Sequence, residues 1–461
     1  MIVERSDWQQ AAARLAAREA SLVALWGEPG YAHMALLEGS ALHRRSIACT
    51  ANRYPSVGRL HAPAIRLERA MRDLHGLEAE GLPDRRQWLH HDEPYRFLAA
   101  EGESLHQIPV GPVHAGIIEP GHFRFSANGE TVVRLEERLG YAHKGTEALM
   151  AGAPLERAAR LAGRVSGDST VAYALAFARA AEAAGGCEPP PRAVWLRALM
   201  AELERLANHC GDIGAVCNDA SFVMLHAQFG WLREHVLRTA AQCFGHRLMM
   251  DCIVPGGVRT DLAADGPHAL RVLTALVRSR FPKLVEVYDN TESLKDRTVG
   301  TGILTPALAA QFAAGGYVGR ASGRAFDARR TPGYAPYGEL EFDVPVVQAG
   351  DVNARVWIRI REVGQSVALI DQLLGALPAG PTQVEPPAGA GEEGSALVEG
   401  FRGDVFVWVR MASDGRVARC HLRDPSWFQW PLLEAAIEGN IVADFPLCNK
   451  SFNCSYSGHD L

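Results

Sequence analysis

The stretch Arg164-Val165-Ser166-Gly167-Asp168-Ser169-Thr170-Val171-Ala172-Tyr173 decides how this chain is read. It has a counterpart at the far end: Asn453-Cys454-Ser455-Tyr456-Ser457-Gly458-His459-Asp460-Leu461. Each holds two small residues three positions apart, Ser166 and Ser169 in the first, Ser455 and Gly458 in the second. A nickel or iron centre needs soft thiolates in fixed geometry. Serine hydroxyls stay protonated at neutral pH, and glycine has no side chain. The nine cysteines do not make up the difference. Cys49, Cys187, Cys210, Cys217, Cys243, Cys252, Cys420, Cys448 and Cys454 are dispersed and form no C-x-x-C. That is the pattern of buried free thiols. Cys448 and Cys454 are the closest pair, and a zinc or redox role falls to them if to any.

Working outward, the composition is that of an ordinary globular chain. Its 461 residues are 48% hydrophobic and 22% charged, enough for two or three cores. A net charge of -6 gives no reason to expect nucleic acid as a partner. Apolar runs are broken by Arg, Glu or Asp before membrane-spanning length, so no transmembrane helix is expected. The start, MIVERSDWQQAAARLAAREASL, mixes both charges and lacks the apolar core of a signal peptide. The expected location is therefore the cytoplasm.

Residues 1–100 read as a small α/β module. A helix over roughly 7–20 precedes strand-like runs at 21–26 and 32–37, and a further helix is expected at 65–74. Alternation at 123–125 and 131–135 around Asn128-Gly129 predicts a hairpin. Apolar residues at three- and four-residue spacing predict helices over 194–217, 222–250, 267–288 and 356–377. Long neighbouring helices of this kind form a bundle. The segment 377–394, LPAGPTQVEPPAGAGEEG, reads as an exposed excursion. A hairpin at 405–410 and 417–422, and a helix near 431–439, complete the chain.

Two resemblances cover nearly all of it. Residues 54–86, YPSVGRLHAPAIRLERAMRDLHGLEAEGLPDRR, resemble the end of the 30-kDa subunit of respiratory complex I. Residues 108–461 resemble the complex I 49-kDa subunit and the large subunits of group 4 NiFe hydrogenases. The matching pieces include GPVHAGIIEPGHFRFS at 111–126, LEERLGYAHKGTEALMAG at 135–152, ELERLANHCGDIG at 202–214, RASGRAFDARR at 320–330 and EGFRGDVFVWV at 399–409. The fused order, small module then large domain, is similar to formate hydrogenlyase-type large subunits. The resemblance implies an α+β fold: a small N-terminal α/β module, then a hydrogenase large-subunit-like domain with a central helix bundle and peripheral β-hairpins.

The quoted segments resemble the metal-binding R-(I/V)-C-G-x-C-x-x-x-H and D-P-C-x-x-C-x-x-(H/R) of NiFe hydrogenases. Against those motifs, Ser166, Ser169, Ser455 and Gly458 replace the four thiolates, and Tyr173 stands where a histidine is usual. No metal is therefore expected in this chain, only a cavity emptied of one. Glu119, in Ile118-Glu119-Pro120-Gly121-His122, matches a proton-relaying glutamate; a partly buried carboxyl suits that task, and an ion-paired one does not. His114 and His122 are acceptor-facing candidates or structural hydrogen-bonders. His143 and Lys144, in G-Y-A-H-K-G, match a strip beside a partner's cluster, or form a polar helix face. Arg402 matches an arginine that faces the metal's ligands in hydrogenases. Without a cluster it needs another anion. Asp168 is the candidate, able to pair with Arg402 or Arg164, or to lie at the surface.

The implied function is that of a cluster-less large subunit at the cytoplasmic side of the cell membrane, held there by partners. Those are a small 4Fe–4S subunit, a polyferredoxin-type subunit and antiporter-like membrane subunits. Electron transfer in the cavity, to a quinone-like or other small acceptor, would be coupled to ion translocation. Nothing here ligates an iron–sulfur cluster. A non-catalytic scaffold subunit of the same kind of complex is the alternative, and an active NiFe hydrogenase a distant third.

Overall fold

The computed structural model describes residues 2–92, 94–116, 118–386 and 392–461. At the N-terminus, the helix Arg5–Ala16 buries Trp8, Ala11, Ala12 and Leu15, one stripe at helical spacing. It accompanies an antiparallel sheet of Ser21–Glu28, Tyr31–Glu38 and Ala41–Ala48. The third strand is not legible in the alternation, because His43, Arg44 and Arg45 interrupt it. Their charges find partners instead: Arg44 pairs with Glu393 and Arg45 with Glu38. The helix Ile65–His75 follows and stops at Gly76, whose φ of 65° only glycine adopts freely.

A second sheet joins His106–Val110, His122–Asn128 and Thr131–Arg138. Its hairpin turns just after Asn128, with Asn128 paired to Thr131. The helical region has five long members: Thr170–Gly185, Pro191–Asp219, Val223–Phe244, Gly266–Asp289 and Val352–Gly375. Pro191–Asp219 packs against both Val223–Phe244 and Val352–Gly375 and forms the centre of the bundle. The expected 222–250 helix ends at Phe244, where Gly245 turns left-handed. The expected 431–439 helix instead runs Ser426–Ile437 with Pro431 inside it.

The C-terminal sheet has three strands, Glu393–Glu399, Asp404–Met411 and Val417–Arg423. Its middle strand is buried on both faces, so it does not alternate in polarity. Val405, Val407 and Val409 join the core around Thr170–Gly185. Phe406 and Trp408 pack with Val23, Ala24 and Trp26 of the N-terminal sheet. Gly394 permits the close approach of strand to helix, since a Cβ there would stand 2.0 Å from the Ala180 carbonyl oxygen.

The segment expected as an exposed excursion at 377–394 is exposed over most of its described residues, and it is tied down at two points. Val258 N–H donates to the Thr382 carbonyl at 2.9 Å, and Val384 N–H to the Gly256 carbonyl at 2.9 Å. Residues 393 and 394 belong to the first strand of the sheet. These two bonds pin the Thr382 carbonyl and the Val384 N–H to the chain at 256–258. Residues 387–391 lie outside the described residues.

A single apolar cluster links Trp8, Tyr54 and Trp88 of the N-terminal region to Trp427, Trp430 and Phe452 near the C-terminus. Among the described residues, no helix is long and apolar enough to cross a membrane.

Candidate functional site

The quoted loop is shaped from one neighbouring helix. Glu204, Asn208 and Asp212 recur at four-residue steps on Pro191–Asp219, which places them on one face. The Glu204 carboxylate accepts from Val171 N–H at 2.7 Å and Ala172 N–H at 3.1 Å, satisfying the free donors at the start of Thr170–Gly185. Asn208 donates to the Asp168 carbonyl at 2.7 Å. Asp212 accepts from Asn453 at 3.0 Å, which fixes the C-terminal segment beside the loop.

Arg402 bridges the two segments, through Asp168 on one side and the Asn453 carbonyl on the other. It reaches Asp168 with two guanidinium nitrogens, at 2.8 Å and 2.5 Å. Arg402 also donates to Ser169 Oγ at 3.0 Å and to the Asn453 carbonyl at 2.6 Å. Ser166 Oγ donates to Asp168 Oδ1 at 2.7 Å. Burial would raise the Asp168 carboxyl, but the Arg402 guanidinium and the Ser166 hydroxyl hold it at about 2. Arg402 is buried, whereas 34% of the Asp168 side chain is exposed, so the pair reaches the surface at its carboxylate end.

The C-terminal segment closes the other side. Ser455 Oγ donates to Ser166 Oγ at 3.2 Å and accepts from Gly458 N–H at 2.9 Å, capping the last helix, Tyr456–Asp460. Gly458 faces Asp424: a Cβ at position 458 would stand 2.5 Å from Asp424 Oδ2. That oxygen accepts from the buried Tyr173 hydroxyl at 2.7 Å, while Oδ1 accepts from Ser426 N–H at 2.8 Å. Burial and the Asp424 charge push the Tyr173 phenol well above its usual range. Ser166, Ser169, Ser455 and Gly458 are thus brought together, but around carboxylates and a guanidinium. This donor set does not fit a nickel–iron centre: it offers hydrogen-bonded hydroxyls and an ion pair in place of thiolates. Cys454 and Cys448 are nearby in sequence, but burial pushes both thiols up, Cys448 to about 11.

The remaining candidates lie around this centre. Glu119 is exposed rather than partly buried, so the expected environment is corrected; its carboxylate accepts from Ser457 N–H at 3.1 Å, at the start of the last helix. His114 Nδ1 lies 3.1 Å from the Pro112 carbonyl, and the ring meets Phe123 and Tyr456. His122 Nδ1 lies 3.2 Å from the Gly111 carbonyl, and burial lowers its pKa. His143 Nδ1 is 2.7 Å from the Asp460 carbonyl, and Lys144 donates to the Val165 carbonyl at 3.0 Å. Asp460 in turn accepts from Gly140 and Ala142 N–H, so the strip 140–146 is clamped by the C-terminal residues. Arg164 does not reach Asp168. It is exposed and pairs with Asp251 through two bonds of 2.6 Å.

Sequence reasoning missed Glu204, Asn208, Asp212, Arg359 and Asp424. Arg359 donates to Asp212 at 3.3 Å and lies 3.5 Å over the Tyr317 ring. Beyond it, His209 meets Glu362 at 2.6 Å, and Arg320 joins Glu362 to Glu399. Two separate buried polar groups therefore lie in the bundle, Asp212 with Arg359 and His209 with Glu362 and Arg320. The available signal was the recurrence of polar Glu204, Asn208 and Asp212 at four-residue steps.

Residues 220–390 match the model of the respiratory-chain NADH dehydrogenase 49-kDa subunit. The chain is 32% identical over 436 residues to formate hydrogenlyase subunit 5 of Escherichia coli (strain K12), covering 88% of this chain and 77% of that one. The chain belongs to the complex I 49-kDa and group 4 hydrogenase large-subunit family. Within that family, it is 31% identical over 353 residues to the carbon monoxide-induced hydrogenase of Rhodospirillum rubrum, covering 76% of this chain and 98% of that one. It is 30% identical to an NADH-quinone oxidoreductase subunit of Syntrophobacter fumaroxidans (strain DSM 10017 / MPOB), across 76% of this chain and 95% of that one. A solved family relative is a chain of the membrane-bound sulfane sulfur reductase, an archaeal respiratory membrane complex. It superposes with a TM-score of 0.73 at 26% identity, covering 77% of this chain and 98% of that one. This family member is therefore a complex I-like, hydrogenase-like subunit.

Proposed function

We propose that this chain is the cluster-less large subunit of a membrane-associated, complex I-like oxidoreductase. It docks on a small 4Fe–4S subunit, with polyferredoxin-type and antiporter-like membrane subunits completing the complex on the cytoplasmic face. Electrons delivered by the partner's cluster pass to a small acceptor of quinone type at the Asp168–Arg402 edge, and the transfer is coupled to ion translocation. The observation that carries this reading is the Asp168–Arg402 pair. It sits among the four replaced ligand positions, buried at the arginine and open at the carboxylate. Behind it Arg402 and Asp212 both bond Asn453, and Asp212 pairs with the buried Arg359.

A second reading is a non-catalytic coupling subunit. It is favoured by the same cluster's internal satisfaction: Ser166, Ser169, Ser455, Asp168, Arg402 and Tyr173 all hydrogen-bond to one another or to neighbouring protein groups. The test is to isolate the complex from membranes through a tag on this chain. Co-purification of an iron–sulfur subunit and antiporter-like proteins supports both readings, and a solitary chain overturns both. Acceptor reduction that falls in an assembled Arg402→Met complex supports the catalytic reading. Unchanged reduction supports the coupling one.

A further inference from the structure

A second constellation lies between the end of the helix Thr170–Gly185, the start of Pro191–Asp219 and the turn at 334–337. It is a cavity of about 500 Å³, within the range that holds small ligands. Leu175, Val194 and Ala198 give it apolar walls, and Arg179, Glu182 and Arg197 bring charge. Two of those three charges cancel. Arg197 donates through two nitrogens to the Glu182 carboxylate, at 3.0 Å and 2.5 Å, and also to the Gly257 carbonyl at 2.9 Å. Glu182 accepts further from Gly256 N–H at 2.8 Å. Both side chains are buried and fully engaged.

Arg179 is left over. It is half-buried, with its guanidinium carbon 4.6 Å from the centre of the Tyr334 ring, and it has no ion-pair or hydrogen-bond partner among the described residues. Its Nε is enclosed, while the two Nη groups keep access to the cavity. Burial lowers its pKa, opposed only at a distance by Tyr334 and Glu182. Glu188 also lines the cavity, but it is exposed and does not pair with Arg179. Residues 387–391 are Pro, Ala, Gly, Ala and Gly and bring no carboxylate. A charge held partly out of water is ordinarily paired, because its desolvation is otherwise uncompensated. An open guanidinium on the wall of a cavity therefore marks a place where a bound anion supplies the partner. Its chemistry narrows the anion. A planar fork of two N–H groups matches a carboxylate through two parallel bonds. A doubly charged phosphate calls for a second open cation, and the lining offers none among the described residues. The apolar walls call for an apolar body beside the charge.

We propose that this cavity binds a monocarboxylate with a small apolar or aromatic body, its carboxylate paired with Arg179 and its body lying against Leu175, Val194 and Ala198. The two carboxylate oxygens accept from the Arg179 Nη groups. None of the residues lining this cavity belongs to the Asp168–Arg402 cluster, so the inference stands apart from the proposed electron-transfer site.

Cys187 supplies the readout. It lines the cavity and is half-buried, whereas the other eight cysteines are buried. The test is the rate at which N-ethylmaleimide modifies Cys187, read from its peptide by mass spectrometry, in the full 461-residue chain and in the tag-purified complex. Benzoate, added at constant ionic strength, should slow the reaction saturably. Benzyl alcohol, of similar size without the charge, should protect about tenfold less well by concentration. Arg179→Gln should weaken protection by benzoate about tenfold, and Arg179→Lys, which keeps the charge and loses the fork, about threefold. Circular dichroism shows that each variant folds, and neither should lose much thermal midpoint without benzoate, because no partner within the fold is lost. Absence of saturable protection, equal protection by benzyl alcohol, or undiminished protection in a folded Arg179→Gln chain overturns the proposal. A marked fall in the Arg179→Gln midpoint also overturns it, since the guanidinium then pairs within the fold, with Glu188. So does a Cys187 that is unreactive in the assembled complex without benzoate, which gives the cavity to a partner subunit.

Discussion

Asp424 occupies the space that a side chain at Gly458 would need. The imagined Cβ falls 2.5 Å from Asp424 Oδ2, and that oxygen is held in place by the Tyr173 hydroxyl. Glycine at 458 is thus a packing requirement, since any side chain there would have to displace Asp424.

Gly458→Cys should therefore lower stability by about 1–3 kcal/mol, the usual cost of overpacking, read as a fall in thermal midpoint. Ser455→Cys and Ser166→Cys should cost less. The chain with cysteine at 166, 169, 455 and 458 should contain far less than one nickel per chain by elemental analysis. Stoichiometric nickel in the wild type would contradict the assignment of the site.

Asp168→Asn should strand the Arg402 charge. Removing one partner of a buried pair costs about 3–5 kcal/mol, but a third of Asp168 is exposed, so a loss of about 2 kcal/mol is expected. The effect depends on pH. The folded-state pKa, about 2, lies below the usual 3.8, so the contribution is present above about pH 4 and lost as pH falls toward 2. Wild type and variant should converge in denaturant midpoint at the acid end. A constant difference across that range would place the interaction elsewhere.

Glu204 behaves in the opposite sense. Burial raises its pKa from 4.5 to about 8, against the pull of the Val171 and Ala172 N–H groups. The folded state then holds a proton that the unfolded state releases, so stability falls as pH rises from about 4.5 to about 8. Glu204→Gln should flatten that slope, measured by urea unfolding across the interval.

Glu119→Gln probes proton handling at the exposed rim. Glutamine retains volume and an acceptor for Ser457 N–H but carries no titratable proton. Acceptor reduction in membranes, normalised to assembled complex by immunoblot, should fall several-fold with the thermal midpoint nearly unchanged. Wild-type turnover would remove Glu119 from the proton path and favour the coupling reading.

The family and fold class were legible in the residues, because long amphipathic helices and ordered motif pieces carry their own periodicity and spacing. The third N-terminal strand was not, since His43, Arg44 and Arg45 break its alternation, and Arg44 and Arg45 are paired with Glu393 and Glu38, partners distant in sequence or on another strand. The middle strand of the C-terminal sheet showed no polar–apolar alternation, because one face meets a helix and the other meets the N-terminal sheet.

The same division runs through the candidate site. The sequence by itself determined that positions 166, 169, 455 and 458 carry hydroxyls or no side chain, a matter of residue identity alone. Only the tertiary structure decided that Asp168 pairs with Arg402, while Arg164 turns outward to Asp251. It alone placed Glu119 at the surface and set Asp424 against Gly458. The physical reason is that a charge is satisfied by whichever opposite charge or donor the fold brings within hydrogen-bond reach, and Asp168 and Arg402 are 234 residues apart along the chain.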